Sequence, residues 1–193
     1  LDDYNWHFIG HSRGAVVNSD VIERFAAFEI PVQQMTTLDP HDFDQSIVPG
    51  DQDFRDWELG MPQGASDNDS YGFTTWDNVE YSDNYYSDES TFFTPNGRAA
   101  ASLAREVFLG DDVAFPGETF THSEIHAWYY GTINQTATNE EGFAGISITS
   151  NWYPGDRRTD DGWNNSQLGG QWATKPSMTD PADGGNNLST YAP

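Results

Sequence analysis

The residues Gly10-His11-Ser12-Arg13-Gly14 form a G-x-S-x-G pattern, in which a serine lies between two glycines. An apolar and aromatic run from Trp6 to Ile9 precedes the pattern and predicts a buried strand. A tight turn between a strand and a helix exposes the serine hydroxyl, and the N–H of the next residue faces a developing oxyanion. We therefore predict Ser12 as a nucleophile and the Arg13 backbone N–H as an oxyanion donor, with an ordinary turn serine as the alternative.

A serine hydroxyl becomes a good nucleophile only when a histidine removes its proton and a carboxylate orients that histidine. Asp39 directly follows the second predicted strand, and Asp83 follows a third, so both are candidate acids. His122 lies where a loop meets a helix, whereas His126 lies one turn further inside. We predict Asp39 as the acid and His122 as the base. Asp83 is the alternative acid, His126 is the alternative base, and an Asx turn before Pro40 is the alternative role of Asp39.

Two patterns are compatible with metal ligation, and both are incomplete. His122 and His126 have the i, i+4 spacing of zinc ligands, but the zinc-protease pattern requires a glutamate directly after the first histidine, where a serine stands. Asp67, Asp69 and Gly72 match part of a calcium loop that lacks its distal glutamate. We predict neither a metal nor a cofactor, and a solvated acidic loop around Asp67.

The first elements that position these residues are a strand, a helix and a strand. After Gly14, apolar residues recur at helical spacing and predict an amphipathic helix with a polar side at Asp20, Glu23 and Arg24. Val32 to Leu38 predicts the second strand, closed by Asp39-Pro40. This order predicts a parallel β-α-β unit. The predicted apolar helix face comprises Val17, Val21, Phe25 and Phe28.

Three further elements are predicted from Trp76 onwards. Trp76 to Ser82 contains alternating apolar residues and predicts a third strand that leads to Asp83. The Ala-rich segment from Arg98 to Leu109 predicts a helix that ends at Gly110. Thr121-His122-Ser123-Glu124 has the form of a capping box, which predicts a helix that starts at His122.

Three short motifs resemble the α/β-hydrolase lipases, particularly the pancreatic-type branch. They are His11-Ser12-Arg13-Gly14, Leu38-Asp39-Pro40, and His122 followed by Trp128-Tyr129-Tyr130. Members of that branch carry G-H-S-L-G, then G-L-D-P with the triad acid, then a histidine before a Tyr-Tyr pair. The resemblance covers residues 4 to 130 and implies a carboxylic ester hydrolase, acting on small-molecule or lipid esters, with Ser12, Asp39 and His122 as its triad.

The resemblance also sets the expected domain organisation. Residues 1–142 correspond to part of an α/β-hydrolase domain, with an irregular insertion at 41–75 as a candidate lid, and residues 143–193 to a loop-rich C-terminal flank. Arg13 replaces the leucine of those lipases, and the chain has no cysteine for the disulfides of that branch, which favours bacterial relatives. Aromatic residues of the insertion, expected to line an acyl pocket or to pack as a satellite core, are Trp57, Tyr71, Phe73 and Trp76.

The composition excludes several classes of partner. Asp and Glu number 31 against 8 Lys and Arg, giving a formal charge of −23, which disfavours binding to nucleic acid or to an anionic membrane surface. No apolar run reaches the roughly 20 residues that span a bilayer. The hydrophobic content of 36% is enough for one sizeable core. We expect a single acidic domain that is secreted or extracellular.

The position of Ser12 near the start of the chain leads to a further expectation. An α/β-hydrolase places several strands before its nucleophile, whereas only 11 residues precede Ser12 here. We expect an N-terminally truncated domain, preceded by roughly 100 residues that supply neighbouring strands and a second oxyanion N–H. The chain by itself is then expected to be weakly active or inactive, because losing one such donor typically costs about 10²–10³-fold in turnover.

Two other functions compete with the hydrolase. The first is a non-catalytic hydrolase-like binding module, in which the fold persists but catalysis is incomplete. The second is a carbohydrate-binding module with an accidental serine turn. Its aromatic surface would be formed by Trp152, Tyr153, Trp163 and Trp172, for which packing is the alternative.

Overall fold

The chain has an α/β architecture built on a four-stranded parallel sheet. A computed structural model describes residues 4–40, 75–87, 104–110, 120–139, 145–166 and 169. The strands lie in chain order across the sheet: β1 His7–His11, β2 Gln34–Leu38, β3 Ser82–Tyr86 and β4 Arg105–Phe108. The helices are α1 Arg13–Ala27, α2 His122–Ile133 and the short α3 Arg157–Asp160, with 3₁₀ turns at Ser150–Trp152 and Gly162–Asn165.

The register brings the carboxyl ends of the strands together at one edge of the sheet. His11 at the end of β1 pairs with Leu38 at the end of β2, and Leu38 pairs with Tyr85 of β3. Ser12 and Asp39 are therefore the first residues beyond two neighbouring strands, and Ser87 follows the third. We call this side of the sheet the carboxyl edge, because ligands of open α/β sheets bind there.

Alternate residues of the strands pack into two separate hydrophobic clusters, so both faces of the sheet are covered. On one face Met35 packs with residues of α1, and on the other Leu38 and Tyr85 pack with residues of α2. The first cluster contains Val16, Ile22, Val32, Met35, Trp76 and Val79. Members of the second include Leu38, Tyr85, Val107, Ile125, Trp128, Tyr129, Trp152 and Tyr153.

The predicted apolar face of α1 was wrong at Val17 and Phe28, whereas Phe25 is partly buried and packs against the cluster that contains Met35. Val17 is 57% exposed and Phe28 is 76% exposed. The buried residues of α1 are Ala15, Val16, Ser19, Ile22 and Glu23. Glu23, which was predicted on the polar side, is therefore buried. Ser19 can be buried because its backbone oxygen and its hydroxyl both accept hydrogen bonds from the Trp76 indole N–H, at 2.8 and 3.0 Å.

The third predicted strand lies further along the chain than expected. Trp76 and Val79 belong to a turn in which Val79 bridges Val32, and the strand β3 begins at Ser82. Asp83 therefore lies inside β3 and does not follow a strand. Trp76, for which a pocket or lid role and core packing were both predicted as alternatives, is 1% exposed in the core beside α1, which makes it a packing residue.

The predicted helix from Arg98 to Leu109 was wrong for residues 104–109. Residues Arg105–Phe108 form β4, which pairs in parallel with β3. Ladder hydrogen bonds to β3 outweigh the local helix propensity of the preceding alanines, which is a weak preference. Residues 98–103 lie outside the described ranges.

The capping box at the start of α2 is present. The Thr121 side chain accepts from the backbone N–H of Glu124, and the Glu124 carboxylate accepts from the Thr121 N–H at 2.8 Å. These reciprocal bonds satisfy N–H groups that a helix N-terminus leaves without partners. His122 consequently occupies the first position of α2.

The segment 145–166 packs against α2. The Trp128 indole N–H donates to the Trp152 backbone oxygen at 2.9 Å, and the Tyr153 hydroxyl donates to the Trp128 backbone oxygen at 2.7 Å. Trp152 and Tyr153 are each 6% exposed, so both are packing residues and neither contributes to the alternative carbohydrate-binding surface. Trp163 is half-buried and stacks on His7. Trp172 lies outside the described ranges.

Most of the predicted insertion also lies outside the described ranges, including its aromatic residues Trp57, Tyr71 and Phe73 and the calcium-like fragment Asp67, Asp69 and Gly72. None of the helices within the described ranges has the length and apolar composition needed to cross a bilayer.

Candidate active site

Ser12 occupies a strained turn between β1 and α1. Its φ of 57° and ψ of −127° lie in a region that non-glycine residues rarely adopt. The turn is held by the Ser12 N–H, which donates to the Leu38 backbone oxygen at 3.0 Å. A strained serine between a strand and a helix is the backbone arrangement expected for an exposed nucleophile.

The two glycines of the motif have different roles. A Cβ on Gly10 would lie 2.5 Å from the Gly14 backbone oxygen and 2.6 Å from the Ala15 nitrogen, so only glycine lets β1 approach α1 this closely. A Cβ on Gly14 meets no atom of the described residues within 4 Å. A side chain at position 10 would therefore clash with the backbone of α1, whereas a Cβ at position 14 would clash with none of the described residues.

Asp39 lies beside this turn, at the end of β2. It has a positive φ of 43°, and its N–H donates to the Tyr85 backbone oxygen at 2.7 Å. Its carboxylate is buried, with one oxygen 2.6 Å from Nδ1 of His122 and the other accepting the Ser87 N–H at 3.2 Å. Each carboxylate oxygen thus has a hydrogen-bond partner, and these two contacts fix the orientation of the Asp39 side chain.

His122 receives its orientation from Asp39. Because an ionised carboxylate only accepts hydrogen bonds, the proton of this pair lies on Nδ1, and Nε2 is the basic nitrogen of the neutral ring. The His122 side chain is 17% exposed, so it is not fully buried. This Asp39–His122 contact joins residues that are 83 positions apart in the sequence.

His11 connects the nucleophile turn to the histidines of α2. It directly precedes Ser12, and its ring centroid lies 4.4 Å from that of His122 and 4.6 Å from that of His126. The structure therefore brings Asp39 and His122 into direct contact and places the residue next to Ser12 against His122. His126, the alternative base, is buried one turn further along α2.

Asp83, the alternative acid, has a different environment. It is fully buried as the second residue of β3, where Thr36 donates to it at 2.5 Å and Gln34 at 3.3 Å. Burial raises its pKa to about 6, and the hydrogen bonds from Thr36, Tyr85 and Gln34 oppose that rise. Asp83 pairs with Thr36, three residues before Asp39, which places it about 10 Å below the carboxyl edge.

Arg13, the predicted oxyanion donor, is the first residue of α1. The first N–H groups of a helix have no acceptor within the helix and point out of its N-terminus. The Arg13 N–H is therefore at the end of α1 that adjoins Ser12, and the helix dipole there favours negative charge.

An open groove of about 560 Å³ lies beside the N-terminus of α2. Residues on either side of His122 contribute to it, but the groove is not lined by Ser12, Asp39 or His122. Its lining includes Thr121, Ser123, Glu124, Ile146, Asn151 and Trp152.

No family model, curated protein or solved structure matches this chain. Within the described ranges, no group of three or more His, Asp or Glu side chains is arranged to hold a metal ion. His122 of the zinc-like pair instead directs one ring nitrogen at Asp39.

Sequence reasoning missed two residues of this site, His11 and Ser87. His11 could have been noticed, because a histidine adjacent to a candidate nucleophile is itself a reactive residue type. Ser87 contributes only its backbone N–H, and no sequence signal identifies a backbone donor whose partner is 48 residues away.

Proposed function

We propose that this chain is a serine hydrolase that cleaves carboxylic esters of small molecules or lipids through an acyl-enzyme on Ser12. The observation that carries the proposal is the 2.6 Å contact between Asp39 and His122 at the same sheet edge as the strained Ser12 turn. The order serine, acid, histidine along the chain agrees with the order of the triad residues in α/β-hydrolases. A buried carboxylate that holds a partly exposed histidine is the arrangement that activates a serine.

The reaction follows from these roles. Nε2 of His122 takes the Ser12 hydroxyl proton while Oγ attacks the ester carbonyl carbon, and the carbonyl oxygen becomes an oxyanion facing the Arg13 N–H. Asp39 stabilises the resulting imidazolium without taking its proton. His122 then gives the proton to the departing alcohol, which leaves an acyl group on Ser12. Water, deprotonated by His122, releases the acid and restores the serine.

The competing functions lack an observation of this kind. The carbohydrate-binding alternative depended on aromatic residues of which Trp152 and Tyr153 are buried. The non-catalytic alternative keeps the fold and differs only in reactivity, so it is separated from the hydrolase by experiment.

A p-nitrophenyl butyrate burst tests the proposal. We expect the purified chain to release close to one equivalent of p-nitrophenol in a slow acylation phase, because a missing oxyanion donor slows acylation without removing the nucleophile. Ser12→Ala should abolish the burst. Ser123→Ala, which removes an exposed serine next to His122, is the matched control and should retain it. A burst that survives Ser12→Ala would contradict the proposed nucleophile.

A further inference from the structure

His11 makes a specific hydrogen bond to the backbone of the proposed base. Its Nε2 lies 2.9 Å from the backbone oxygen of His122, a contact that spans 111 residues of sequence. A carbonyl oxygen can only accept, so Nε2 of His11 carries the proton. The bond ties the last residue of β1, directly before Ser12, to the first residue of α2.

The His11 ring also fills the space between β1 and the first turns of α2. It is tilted by 31° against the His122 ring and meets the His126 ring edge-on at 78°. Since His122 and His126 are one helical turn apart, a single side chain contacts two successive turns of α2. His11 therefore bridges the end of β1, next to Ser12, and the start of α2 that carries His122.

The protonation state of His11 suits this location. Burial lowers its pKa to about 4, and His122 and His126 also lower it, while the hydrogen bond to the His122 backbone and the charge of Asp39 raise it. His11 is therefore neutral near pH 7. A neutral ring keeps a donor on Nε2 and places no second positive charge beside His122 when His122 accepts the serine proton.

We propose that His11 is a positioning residue for the His122 base, through its Nε2 hydrogen bond to the His122 carbonyl and its contact with both histidine rings. This inference rests on the proposed function, because it assigns His11 a role in the reaction of Ser12. His11 does not exchange a proton with the substrate. It holds the start of α2 in the position from which Nε2 of His122 can accept the Ser12 hydroxyl proton.

His7 provides a matched control on the same strand. It lies four residues before His11 and so on the same face of β1. Burial lowers its pKa to about 4 as well, and its Nε2 bonds to the Thr36 hydroxyl at 2.8 Å. Its ring stacks on Trp163. His7 therefore matches His11 in type, burial and strand but contacts a different part of the sheet.

Three variants separate positioning from packing. His11→Phe keeps a ring but removes the donor, His11→Gln keeps a donor at the reach of Nε2, and His7→Phe removes the control histidine. We expect His11→Phe to lower the acylation rate constant for p-nitrophenyl butyrate by about 10- to 100-fold with KM nearly unchanged, since small displacements of a catalytic group have effects of this size. His11→Gln should recover most of the rate, and His7→Phe should lower the melting temperature without lowering the rate of the folded protein.

Two outcomes would overturn the positioning role. One is a His11→Phe acylation rate equal to that of His7→Phe at matched folded fraction. The other is a His11→Gln rate no better than that of His11→Phe, because the hydrogen bond would then be irrelevant.

If the unmodified chain shows no acylation, the proposed function fails, and NMR of ¹⁵N-labelled histidines decides the structural part of the inference separately. The Nδ1–H signal of His122 should shift in His11→Phe and stay unchanged in His7→Phe. An unchanged His122 signal in His11→Phe would overturn the link between His11 and His122.

Discussion

Asp39 and Asp83 are both buried carboxylates, one just beyond β2 and the other in the neighbouring β3, and the sequence offers both as the acid of a triad. They differ in their position along the direction of the strands. Asp39 lies just beyond β2 and contacts His122 and the Ser87 N–H. Asp83 lies inside β3 and accepts from Thr36 and Gln34 of the adjacent strand.

The comparison shows how position in a parallel strand determines what a carboxylate can do. Inside the sheet the backbone N–H groups are used by the ladder, so a buried acid must find partners among neighbouring side chains. Beyond the strand end the backbone N–H of the next strand becomes a donor, as Ser87 is for Asp39, and a helix start can approach. Residue type alone does not distinguish these two environments.

The surroundings of Asp83 form a second polar region in the middle of the sheet. Burial raises the pKa of Tyr81 to about 12 and also raises the pKa of Tyr85, and Asp83 contributes to both shifts. Arg105 of β4 donates to Asp161 at 2.8 Å, which connects this region to the segment 145–166. We interpret the middle of the sheet as structural and the carboxyl edge as the site of chemistry.

The largest expected effect separates the two acids. Asp39→Asn should lower the rate of ester hydrolysis by about 10⁴-fold, because the amide no longer holds the reactive tautomer of His122. Asp83→Asn should change the rate of the folded protein by less than about tenfold, since its partners are Thr36 and Gln34. The measurement is steady-state hydrolysis of p-nitrophenyl butyrate. Circular dichroism of both variants serves as the folding control, and a reversed ranking would move the acid to Asp83.

A smaller effect on activity is expected from the backbone of the carboxyl edge. Gly10→Ala places a Cβ against the backbone of α1 and should displace the Ser12 turn, lowering the acylation rate by about 100-fold. Gly14→Ala meets no described atom within 4 Å and is the matched control, with a rate close to that of the unmodified chain. Single-turnover acylation is the measurement. Equal rates in the two variants would show that the close approach at Gly10 does not position Ser12.

The parts of the molecule that could be predicted from sequence are those with strong local signals. The Ser12 turn, the strand that precedes it and the capping box at Thr121 depend on residues within a few positions of one another, and the structure contains all three. The choice of Asp39 and His122 also depended on local context, namely a strand end and a helix start. These two residues are in contact, although their role in catalysis stays a prediction.

The parts that could not be predicted depend on distant partners. The β3 sequence Ser82–Tyr86 is polar, and it is buried because residues of β2 satisfy it: Thr36 bonds Asp83, and Thr37 bonds Asn84 at 2.7 Å. The buried positions of α1 were mispredicted for the same reason, because Ser19 accepts a hydrogen bond from the indole N–H of Trp76, 57 residues away. Hydrophobic periodicity assumes that buried positions are apolar, and it fails where polar groups find buried partners.

The stability of the middle of the sheet should depend on pH through Asp83. Its pKa is about 6 in the folded chain against an ordinary value of 3.8, so the folded state binds the proton more tightly than the unfolded state does. The contribution to the free energy of unfolding is therefore greatest below about pH 4 and falls, by up to about 3 kcal/mol, as the pH rises through 6. Asp83→Asn removes this dependence.

Urea denaturation at pH 4, 5, 6 and 7 measures this effect. The difference in unfolding free energy between Asp83→Asn and the unmodified chain should shift in favour of the variant as the pH rises. Asp77→Asn, which removes an exposed carboxylate just before β3, controls for the loss of one negative charge. A pH-independent difference for Asp83→Asn would contradict the raised pKa.

The smallest expected effect is that of salt, and it should not distinguish the two regions. The formal charge of −23 implies self-repulsion, which salt screens because the Debye length falls from about 10 Å at 0.1 M to about 3 Å at 1 M. Thermal denaturation should show a melting temperature about 5 °C higher in molar salt, equally in the unmodified chain, Asp39→Asn and Asp83→Asn. A melting temperature that does not respond to salt would refute this prediction.

The most direct test of the account is the identity of the residue that reacts. The chain is incubated with a fluorophosphonate probe, digested with trypsin and analysed by mass spectrometry, which places Ser12 on the peptide of residues 1–13 because cleavage follows Arg13. We predict one probe adduct, on Ser12, that is lost in Ser12→Ala and strongly reduced in His122→Ala. An adduct on another serine, or no adduct on the folded chain, would contradict the assignment of Ser12, His122 and Asp39 as a catalytic triad.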